Sequence, residues 1–567
     1  MSHKSFYALL LAASVVAGPA AAQDAPSGKR KVKVKHKSEA PKGAAAPAAA
    51  AAPAAAAAAA PAADLATTYA ATITQDDLRK HLTVLASDAY EGRETGEKGQ
   101  KMAAEYLAKR FQELGLVGPV KDSDNPYMQH FTMERSTWAG GATLKVGGQT
   151  FKWMEDFYAY GGSPFEQETT VQPVFVGYGI EQDGYSDYAG LDVKGKDLII
   201  LMGEPTKDGK ALLGKDGAAS KWGNDYRAKA AMATQKGARS VFFVSFNPND
   251  NFGKTAARMA PYLSRPSIGF ADAKKEPRAA TFFVSPALGA KLLGTTDANV
   301  RKYETGVGAS GKPTKATFKP AKFAISAPKK REKFTTENVL GYLEGTDKKD
   351  ELIVVSAHYD HIGIINGEVH NGADDDGSGT VSVLEMAEAF VKAKAEGHGP
   401  RRSILFLTVT GEEKGLLGSE YYSDHPVFPL AQTVADLNID MVGRTDKEHE
   451  GKGDYVYVIG SDKLSSELHK IVLAANEKNG AMDLDFRYND PNDPNRFYYR
   501  SDHYNFAKHG IPVAFFFNGV HDDYHGAKDE VDKIEFPKME KRARVVFHAA
   551  WELVNRDNRI VVDSNKP

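Results

Sequence analysis

The chain lacks cysteine throughout its 567 residues. That absence excludes disulfide bonds and a lipid-modified N-terminal cysteine. No segment provides the roughly 20 consecutive apolar residues that a membrane-spanning helix needs. The formal net charge is only −2, so the folded part has no bulk bias toward nucleic acid. These absences favour a soluble, disulfide-free protein that does not bind nucleic acid.

The N-terminus has the pattern of a secretory signal. Lys4 precedes an apolar stretch from Phe6 to Val16, which is too short to cross a bilayer, and small residues follow from Pro19 to Ala22. We therefore predict a signal peptide over residues 1–22, cleaved near Ala22. The mature protein is expected to be periplasmic in a Gram-negative cell, or secreted.

Residues 23–64 have the composition of a disordered linker. Lys29 to Lys37 alternates basic residues with valine and histidine, and an alanine and proline tract follows. Such a tract buries too little apolar surface to fold, so we predict a tether or spacer. The basic run is interpreted as a solvated tail, with contact to an anionic lipid or envelope polymer as the alternative.

Ligand-type residues follow four apolar runs in the C-terminal half. The runs are typical of strands in a mostly parallel sheet, whose functional groups gather at the carboxyl ends. The first run, Leu352 to Val355, comes before two motifs, His358-Tyr-Asp-His361 and Gly372-Ala-Asp-Asp-Asp-Gly-Ser-Gly379. The other three runs come before Glu412-Glu413, Asp440 and His521-Asp-Asp-Tyr-His525. Imidazole and carboxylate ligands suit zinc, and two zinc ions need a bridging carboxylate. The joint pattern predicts a hydrolytic metal site.

Other interpretations of these motifs are weaker. Asp374-Asp-Asp-Gly377 resembles a polar turn or calcium loop, but calcium gains nothing from a nearby histidine. A phosphate loop at Gly306 to Lys312 is rejected because Pro313 replaces the serine or threonine that would bind magnesium. Gly415-Leu-Leu-Gly-Ser419 is not a nucleophile elbow, and no His-Glu-x-x-His motif occurs.

From about Leu65 to the end, the sequence resembles zinc metallopeptidases of the M28 family. The matching motifs occur in the family's order: His358-x-Asp360, Gly372-Ala-x-Asp375-x-x-Ser-Gly379, Glu412-Glu413, Asp440, Ser501-Asp-His503 and Tyr524-His525. The resemblance implies that Asp375 bridges two Zn²⁺ ions. It makes His358 and Asp440 the other ligands of one zinc, and Glu413 and His525 those of the second.

The resemblance also implies further roles. Glu412 is the general base, and the peptide bond from Asp375 to Asp376 is cis, as it is in the family. Asp360 is expected to accept a hydrogen bond from His358 and fix its tautomer. Tyr498 occupies the position of a tyrosine that donates to the oxyanion in some family aminopeptidases, with Tyr499 as the alternative.

Neighbouring polar residues are given structural roles. His361, His503 and His521 are expected to be structural or substrate-lining rather than ligands. Ser501-Asp502 is interpreted as a helix cap, since consecutive residues at a helix start point in different directions.

The predicted fold class is α/β, a three-layer α/β/α zinc-peptidase domain with a mostly parallel mixed sheet and an inserted β-rich domain. The N-terminal part of the peptidase domain spans residues 65–137, and the part with the metal site spans residues 333–567. Residues 138–332 form the insert, because Val176-Gly-Tyr-Gly179, Tyr188-Ala-Gly190 and Lys194-Gly-Lys196 resemble a protease-associated domain.

The resemblance predicts a dizinc exopeptidase, an aminopeptidase that acts on peptides. A glutamate-carboxypeptidase-like enzyme is the alternative; it needs a cationic pocket, for which Arg496, Arg500 and Lys508 are possible sources. A glutaminyl-cyclase-like transferase is disfavoured by His358, and a receptor-like binding protein by the complete ligand set. Substrate preference and oligomeric state are not determined by the sequence.

Overall fold

The computed structural model describes residues 64–273 and 278–565. These residues form two compact units: unit 1 comprises the chain up to Gln129 and from Asn338 onward, and unit 2 comprises His130–Glu337. The predicted signal peptide and nearly all of the predicted linker lie outside the described residues. None of the described helices is long and apolar enough to cross a membrane.

Unit 1 is built on one mostly parallel sheet. Its strands, in spatial order, are Lys329–Leu343, Arg402–Val409, Lys348–His358, Thr433–Ile439, Val513–Phe517, Tyr455–Ile459 and Asp483–Asp485. The central strands are parallel, whereas Lys329–Leu343 and Tyr455–Ile459 run antiparallel to their respective neighbours Arg402–Val409 and Val513–Phe517. A small hairpin pairs Gly363–Ile365 with Glu368–His370.

Helices cover both faces of this sheet. The α-helices are Leu65–Ala70, Gln75–Leu85, Lys98–Glu113, Gly379–Ala395, Leu417–Asp424, Ser466–Lys478, His503–Ala507 and Phe536–Asn555. Ile353 and Val355 pack into a core shared with the long helices, and Leu352 and Val354 into a second core with Tyr422. Because alternate residues of a strand face opposite sides, the sheet lies between two helical layers. The predicted α/β fold is confirmed.

Local sequence explains where the helices begin. Thr74 caps Gln75–Leu85 by accepting a hydrogen bond from the backbone of Asp77. In Lys98–Glu113 the residues Ala103, Leu107 and Phe111 recur at helical spacing and are fully buried. Local sequence thus accounts for both of these helices.

Unit 2 contains two principal sheets. The first has the strand order Phe157–Tyr160, Ala280–Val284, Ser240–Val244, Asp197–Leu201 and Val174–Phe175, and the second has the order Gln149–Lys152, Thr143–Val146, Phe323–Ser326 and Thr169–Val171. Short strands lie at Glu181–Gln182, Tyr185–Ser186, Thr206–Lys207, Lys210–Ala211 and Ser267–Phe270, and α-helices at Lys221–Asn224, Tyr226–Gln235, Phe252–Ser264, Pro286–Leu292 and Asp297–Ser310.

The observed unit boundaries differ from the expected 138 and 332. The chain passes between the units within the strands Met128–Trp138 and Lys329–Leu343. Each of these strands continues across its border, so the strand pattern in the sequence does not mark where one unit ends and the other begins. The identity of unit 2 as a protease-associated domain stays a prediction.

Candidate metal centre

The candidate site lies at the carboxyl ends of adjacent strands in unit 1. His358 ends the strand Lys348–His358, and it pairs in register with Val409, which ends the neighbouring strand. Glu412 and Glu413 follow Val409, and Asp440 directly follows the strand Thr433–Ile439. Parallel strands end at the same edge of a sheet, so His358 and Asp440 are expected to meet there although 82 positions separate them in sequence.

The loop with the acidic cluster turns back against this edge. Residues Ala373–Ser378 form an irregular helical segment, and the peptide bond from Asp375 to Asp376 is cis, as expected. Gly372 has φ +55°, and a Cβ there would lie 2.2 Å from the Asp375 carbonyl oxygen. A Cβ at Gly379 would lie 2.3 Å from the Ile439 carbonyl oxygen. Glycine is therefore needed at both ends of the loop.

Five predicted ligands converge on one another. Asp375 Oδ1 lies 3.3 Å from His358 Nε2, and Asp375 Oδ2 lies 3.1 Å from His525 Nε2. On one side His358 Nε2 is 3.6 Å from Asp440 Oδ1, and on the other His525 Nε2 is 3.1 Å from Glu413 Oε2. The two oxygens of Asp375 thus face two separate ligand groups.

His361 lies closer to the site than the sequence analysis expected. Its Nδ1 is 2.9 Å from Glu413 Oε1 and 3.9 Å from Asp375 Oδ2, and its side chain is fully buried. Ligand atoms of His361, Asp375 and Glu413 therefore group as closely as those of His358, Asp375 and Asp440. The sequence did not predict that His361 lies beside Glu413 and Asp375. Its position depends on the direction in which the loop turns after the strand Lys348–His358.

The site concentrates negative charge in a buried setting. Burial, together with repulsion from Glu413 and Asp440, raises the pKa of Glu412 well above its ordinary value, against the opposing effect of His358. Although burial favours neutral imidazole, Glu412 and Asp440 raise the pKa of His358 well above its usual range. Glu413 and Asp375 likewise raise the pKa of His525 to about 10 despite its burial.

These residues fit a divalent cation. In the described part of the chain, Asp375 Oδ2, Glu413 Oε1 and both ring nitrogens of His361 are buried without a hydrogen bond of good geometry. A buried polar atom without a partner is costly, and metal coordination would satisfy several of these atoms together. The donor set of imidazole nitrogens and carboxylate oxygens suits zinc.

Comparison with known proteins identifies the domain. The model of peptidase family M28 matches residues 338–550, a range that includes every proposed metal ligand. Residues 338–550 are a peptidase family M28 domain. The remainder of unit 1, before Gln129 and after residue 550, packs into the same cores as this M28 domain.

Individual relatives match the chain as well, one of them over a larger part. Aminopeptidase YwaD of Bacillus subtilis is 25% identical over 410 residues, which cover 71% of this chain and 71% of that protein. A protein named "Probable leucine aminopeptidase" from Arthroderma otae is 31% identical over 212 residues, 36% of this chain and 55% of that protein. The chain thus spans about half the length of this fungal relative.

A solved structure supports the same fold. The aminopeptidase from Aneurinibacillus sp. strain AM-1 superposes with a TM-score of 0.52 at 19% identity, covering 88% of this chain and 100% of that one. At this identity the likeness concerns the fold alone.

Asp360 of the M28 domain acts differently from the expectation. His358 Nδ1 lies 3.0 Å from the backbone carbonyl oxygen of Asp360 but 3.7 Å from its carboxylate. The carboxylate instead accepts hydrogen bonds from the Thr95 hydroxyl at 2.7 Å and from the Glu412 backbone N–H at 3.2 Å. Asp360 therefore orients His358 through its main chain and holds the segment that carries Glu412.

The cleft of the M28 domain contains a tyrosine, but not the expected one. The residues that line the cleft are His358, Asp375, Glu412, Asp440, Met441, Phe497, Arg500, Phe515, Phe517, Val520 and Tyr524. Tyr498 is not part of this lining; its ring lies 4.7 Å from the Lys463 ammonium and packs against His503. Tyr524 stacks on His525 with 4.0 Å between ring centroids. The structure therefore gives Tyr524 the position beside the ligands that sequence reasoning assigned to Tyr498.

Ser501 and Asp502 do not cap a helix. Asp502 stands at the start of His503–Ala507 but makes no capping hydrogen bond, and it bonds Ser419 instead. The Ser501 hydroxyl donates to Asp440 Oδ2 at 2.6 Å and accepts from Asn438 at 2.8 Å. The helix-cap interpretation is wrong because the Ser501 hydroxyl bonds Asn438 and Asp440 at the end of one strand, and the Asp502 carboxylate bonds Ser419 in the helix Leu417–Asp424.

The sequence did not predict the contacts of two further residues of the site. Asp529 accepts the backbone N–H groups of Asp374 and Asp375, each at 3.1 Å. The fully buried Arg93 donates to the carbonyl oxygens of Tyr359 at 2.8 Å and Gly372 at 2.9 Å. Both residues hold the ligand-bearing loops in place from distant parts of the sequence.

The other two histidines have structural surroundings, as expected. His503 is buried, stacks on Phe515 with ring centroids 4.7 Å apart, and has its pKa lowered to about 3 by burial. His521 Nε2 lies 3.2 Å from Asp374 Oδ2.

Proposed function

We propose that the protein is a dizinc exopeptidase that removes N-terminal residues from peptides. The observation that carries this proposal is the position of Asp375. Its two carboxylate oxygens face His358 on one side and His525 on the other, at 3.3 and 3.1 Å. A carboxylate shared between two ligand groups is what a pair of zinc ions requires.

We assign His358, Asp375 and Asp440 to one zinc, and Asp375, Glu413 and His525 to the other. His525 is preferred to His361 as the ligand because its Nε2 lies 3.1 Å from both carboxylates and its side chain is 32% exposed toward solvent. His361 is fully buried and lies beside one oxygen of Glu413. Bound zinc would supply a Lewis acid that acidifies water and stabilises negative charge on a carbonyl oxygen.

Glu412 is proposed as the general base. Its carboxylate lines the cleft, 3.8 Å from His358 Nε2, and its backbone is held by Asp360. From this position it accepts a proton from the attacking water and returns it to the leaving amine. Tyr524 lines the same cleft and is the better-placed hydroxyl to donate to the developing oxyanion, although Tyr498 was expected for that role.

The choice of an aminopeptidase rests on relatives of the M28 domain. The Bacillus protein that matches 71% of the chain is named an aminopeptidase, and the fungal relative is named "Probable leucine aminopeptidase". Apolar residues of the cleft, among them Phe515, Phe517 and Val520, suit an uncharged side chain next to the scissile bond.

A glutamate-carboxypeptidase-like activity is the second candidate, and one observation favours it. Arg500 lines the cleft beside the proposed ligands, where its guanidinium offers a partner for a substrate carboxylate. We also propose that the protein is periplasmic or secreted, which rests on the signal pattern of residues 1–22.

A peptide pool with two kinds of N-terminus tests this function. Half of the peptides carry free N-termini and half are N-acetylated, and mass spectrometry follows digestion by zinc-loaded protein and by a chelated control. Trimming of free N-termini alone, lost on chelation, is the expected result. Trimming of acetylated peptides from their C-termini would replace the aminopeptidase by the carboxypeptidase, and no cleavage of either set would contradict both.

A further inference from the structure

Arg500 is the one arginine or lysine of the described chain that lines the cleft of the candidate metal centre. The sequence offered three possible cationic residues here, and the structure separates them. Arg496 is exposed and lies over the ring of Tyr499, and Lys508 pairs with Glu420 at 3.7 Å. Neither Arg496 nor Lys508 belongs to the cleft lining, so Arg500 alone is placed to meet a bound substrate.

The contacts of Arg500 fix the position of its guanidinium but do not neutralise its positive charge. Its central carbon lies 4.6 Å from the centroid of the Phe497 ring, and Nη2 donates to the Tyr524 hydroxyl at 3.5 Å. No carboxylate of the described residues lies within 4.0 Å of it, whereas Arg444 in the same unit pairs with Asp523 at 3.1 Å. A guanidinium has five N–H donors, so most of them stay available for another acceptor.

Neighbouring residues fix Arg500 close to the reacting groups. The next residue, Ser501, donates to the proposed ligand Asp440, which anchors the backbone. Tyr524, which accepts from Arg500, stacks on the proposed ligand His525. The guanidinium is thus separated from the proposed zinc ligands by a single side chain.

We propose that Arg500 is a specificity-determining residue that binds a carboxylate of the substrate. A guanidinium presents a planar pair of N–H donors that matches the two oxygens of a carboxylate. The carboxylate has two possible sources: an acidic side chain on the N-terminal residue, or the α-carboxylate of a dipeptide. The inference rests on the proposed peptidase function and names the chemistry of its preferred substrates.

Two matched pairs of peptides separate these sources. Glu-Ala-amide and Gln-Ala-amide differ only in a side-chain charge, and Leu-Ala and Leu-Ala-amide differ only at the C-terminus. We compare kcat/KM for the wild type, Arg500→Gln, Arg500→Lys and the matched control Arg496→Gln. Arg500→Gln should lower kcat/KM roughly tenfold to hundredfold for the charged member of one pair, with little change for its uncharged partner.

The remaining variants and a binding measurement complete the test. Arg500→Lys should restore part of the selectivity, since it keeps the charge but not the planar fork, and Arg496→Gln should behave like wild type. In a Glu412→Gln background, calorimetric titration with the same peptides should show the same selective loss of affinity. Equal losses for both members of both pairs, or no loss at all, would overturn the proposal.

Failure of the proposed function is distinguishable from failure of this inference. If the wild type hydrolyses none of the four peptides, the peptidase proposal fails, and the binding titration still tests Arg500 by itself. The other outcome is that the uncharged peptides are hydrolysed and Arg500→Gln leaves the ratio of kcat/KM between charged and uncharged peptide unchanged in both pairs. In that case the peptidase proposal stands and the carboxylate role of Arg500 is wrong.

Discussion

The carboxylate of Asp360 accepts a hydrogen bond from the backbone N–H of Glu412, with 3.2 Å between Oδ1 and the nitrogen. Asp360 lies two residues beyond the proposed ligand His358, and Glu412 lies three residues beyond the neighbouring strand. This bond therefore joins the loops that follow two adjacent strands. The bond holds the backbone of Glu412, the proposed general base, in a fixed position relative to the proposed ligand His358. It uses neither the Glu412 side chain nor the His358 side chain.

Substitution of Asp360 should impair turnover while the metal stays bound. In Asp360→Ala no side-chain acceptor remains for Thr95 or Glu412, so the Glu412 segment loses a partner, while the backbone carbonyl oxygen that contacts His358 is kept. We expect kcat to fall by about one to two orders of magnitude, by analogy with other residues that support metal ligands. Steady-state kinetics with zinc analysis measures both quantities. Unchanged kcat would show that this bond does not position Glu412.

Removal of the Ser501 hydroxyl should weaken metal binding. Ser501→Ala deletes the donor that lies 2.6 Å from Asp440 Oδ2 and leaves that carboxylate free to rotate. The affinity for zinc should decrease by about 10- to 100-fold, measured by competition with a chromophoric chelator. Ser423→Ala is the matched control, because this buried hydroxyl bonds only within its own helix. Equal affinities for the two variants would exclude the proposed support of Asp440.

The two histidines beside Glu413 should differ in their effect on metal content. His525→Ala should reduce bound zinc from two ions per chain to one, because its Nε2 faces both Asp375 and Glu413 at 3.1 Å. His361→Ala should keep two ions, since His361 contacts the far oxygen of Glu413 from a fully buried position. Elemental analysis after dialysis distinguishes them. The reverse pattern would assign the ligand role to His361.

The buried pair of His81 and Glu385, neither of which is a proposed metal ligand, predicts a pH-dependent stability. His81 Nε2 lies 3.5 Å from Glu385 Oε1, and burial raises the pKa of Glu385 to about 8 while lowering that of His81 to about 4. The unfolded carboxyl ionises near pH 4.5. Its contribution to stability is therefore complete below pH 4.5 and is lost as the pH rises toward 8.

Glu385→Gln isolates this contribution, because the amide stays neutral at every pH. Between pH 5 and 8 the free energy of unfolding of the wild type should decline relative to the variant by up to about 1.4 kcal/mol per pH unit. The His81 contribution and metal binding are common to both proteins and cancel in the difference. Urea unfolding across this range provides the measurement, and parallel profiles would contradict the assigned pKa.

The sequence predicted which residues belong to the site better than it predicted the contacts that these residues make. Apolar strands that lead into ligand-type residues predict a metal site, and the resemblance to the M28 family implies that His358, Asp375 and Asp440 are its ligands. The contacts of Ser501 and Arg93 could not be predicted, because their partners lie 61 and up to 279 residues away in the chain. His361 and Tyr524 depend on how loops turn after their strands, which periodicity does not encode.

The most direct test of the account is the variant Glu412→Gln, assayed for peptide hydrolysis and zinc content in the same preparation. The amide cannot accept a proton from water but closely preserves the shape of the side chain. The account predicts two zinc ions per chain and a turnover lower by about 10²- to 10⁴-fold than wild type. Turnover equal to wild type, with zinc retained, would contradict the assignment of Glu412 as the general base.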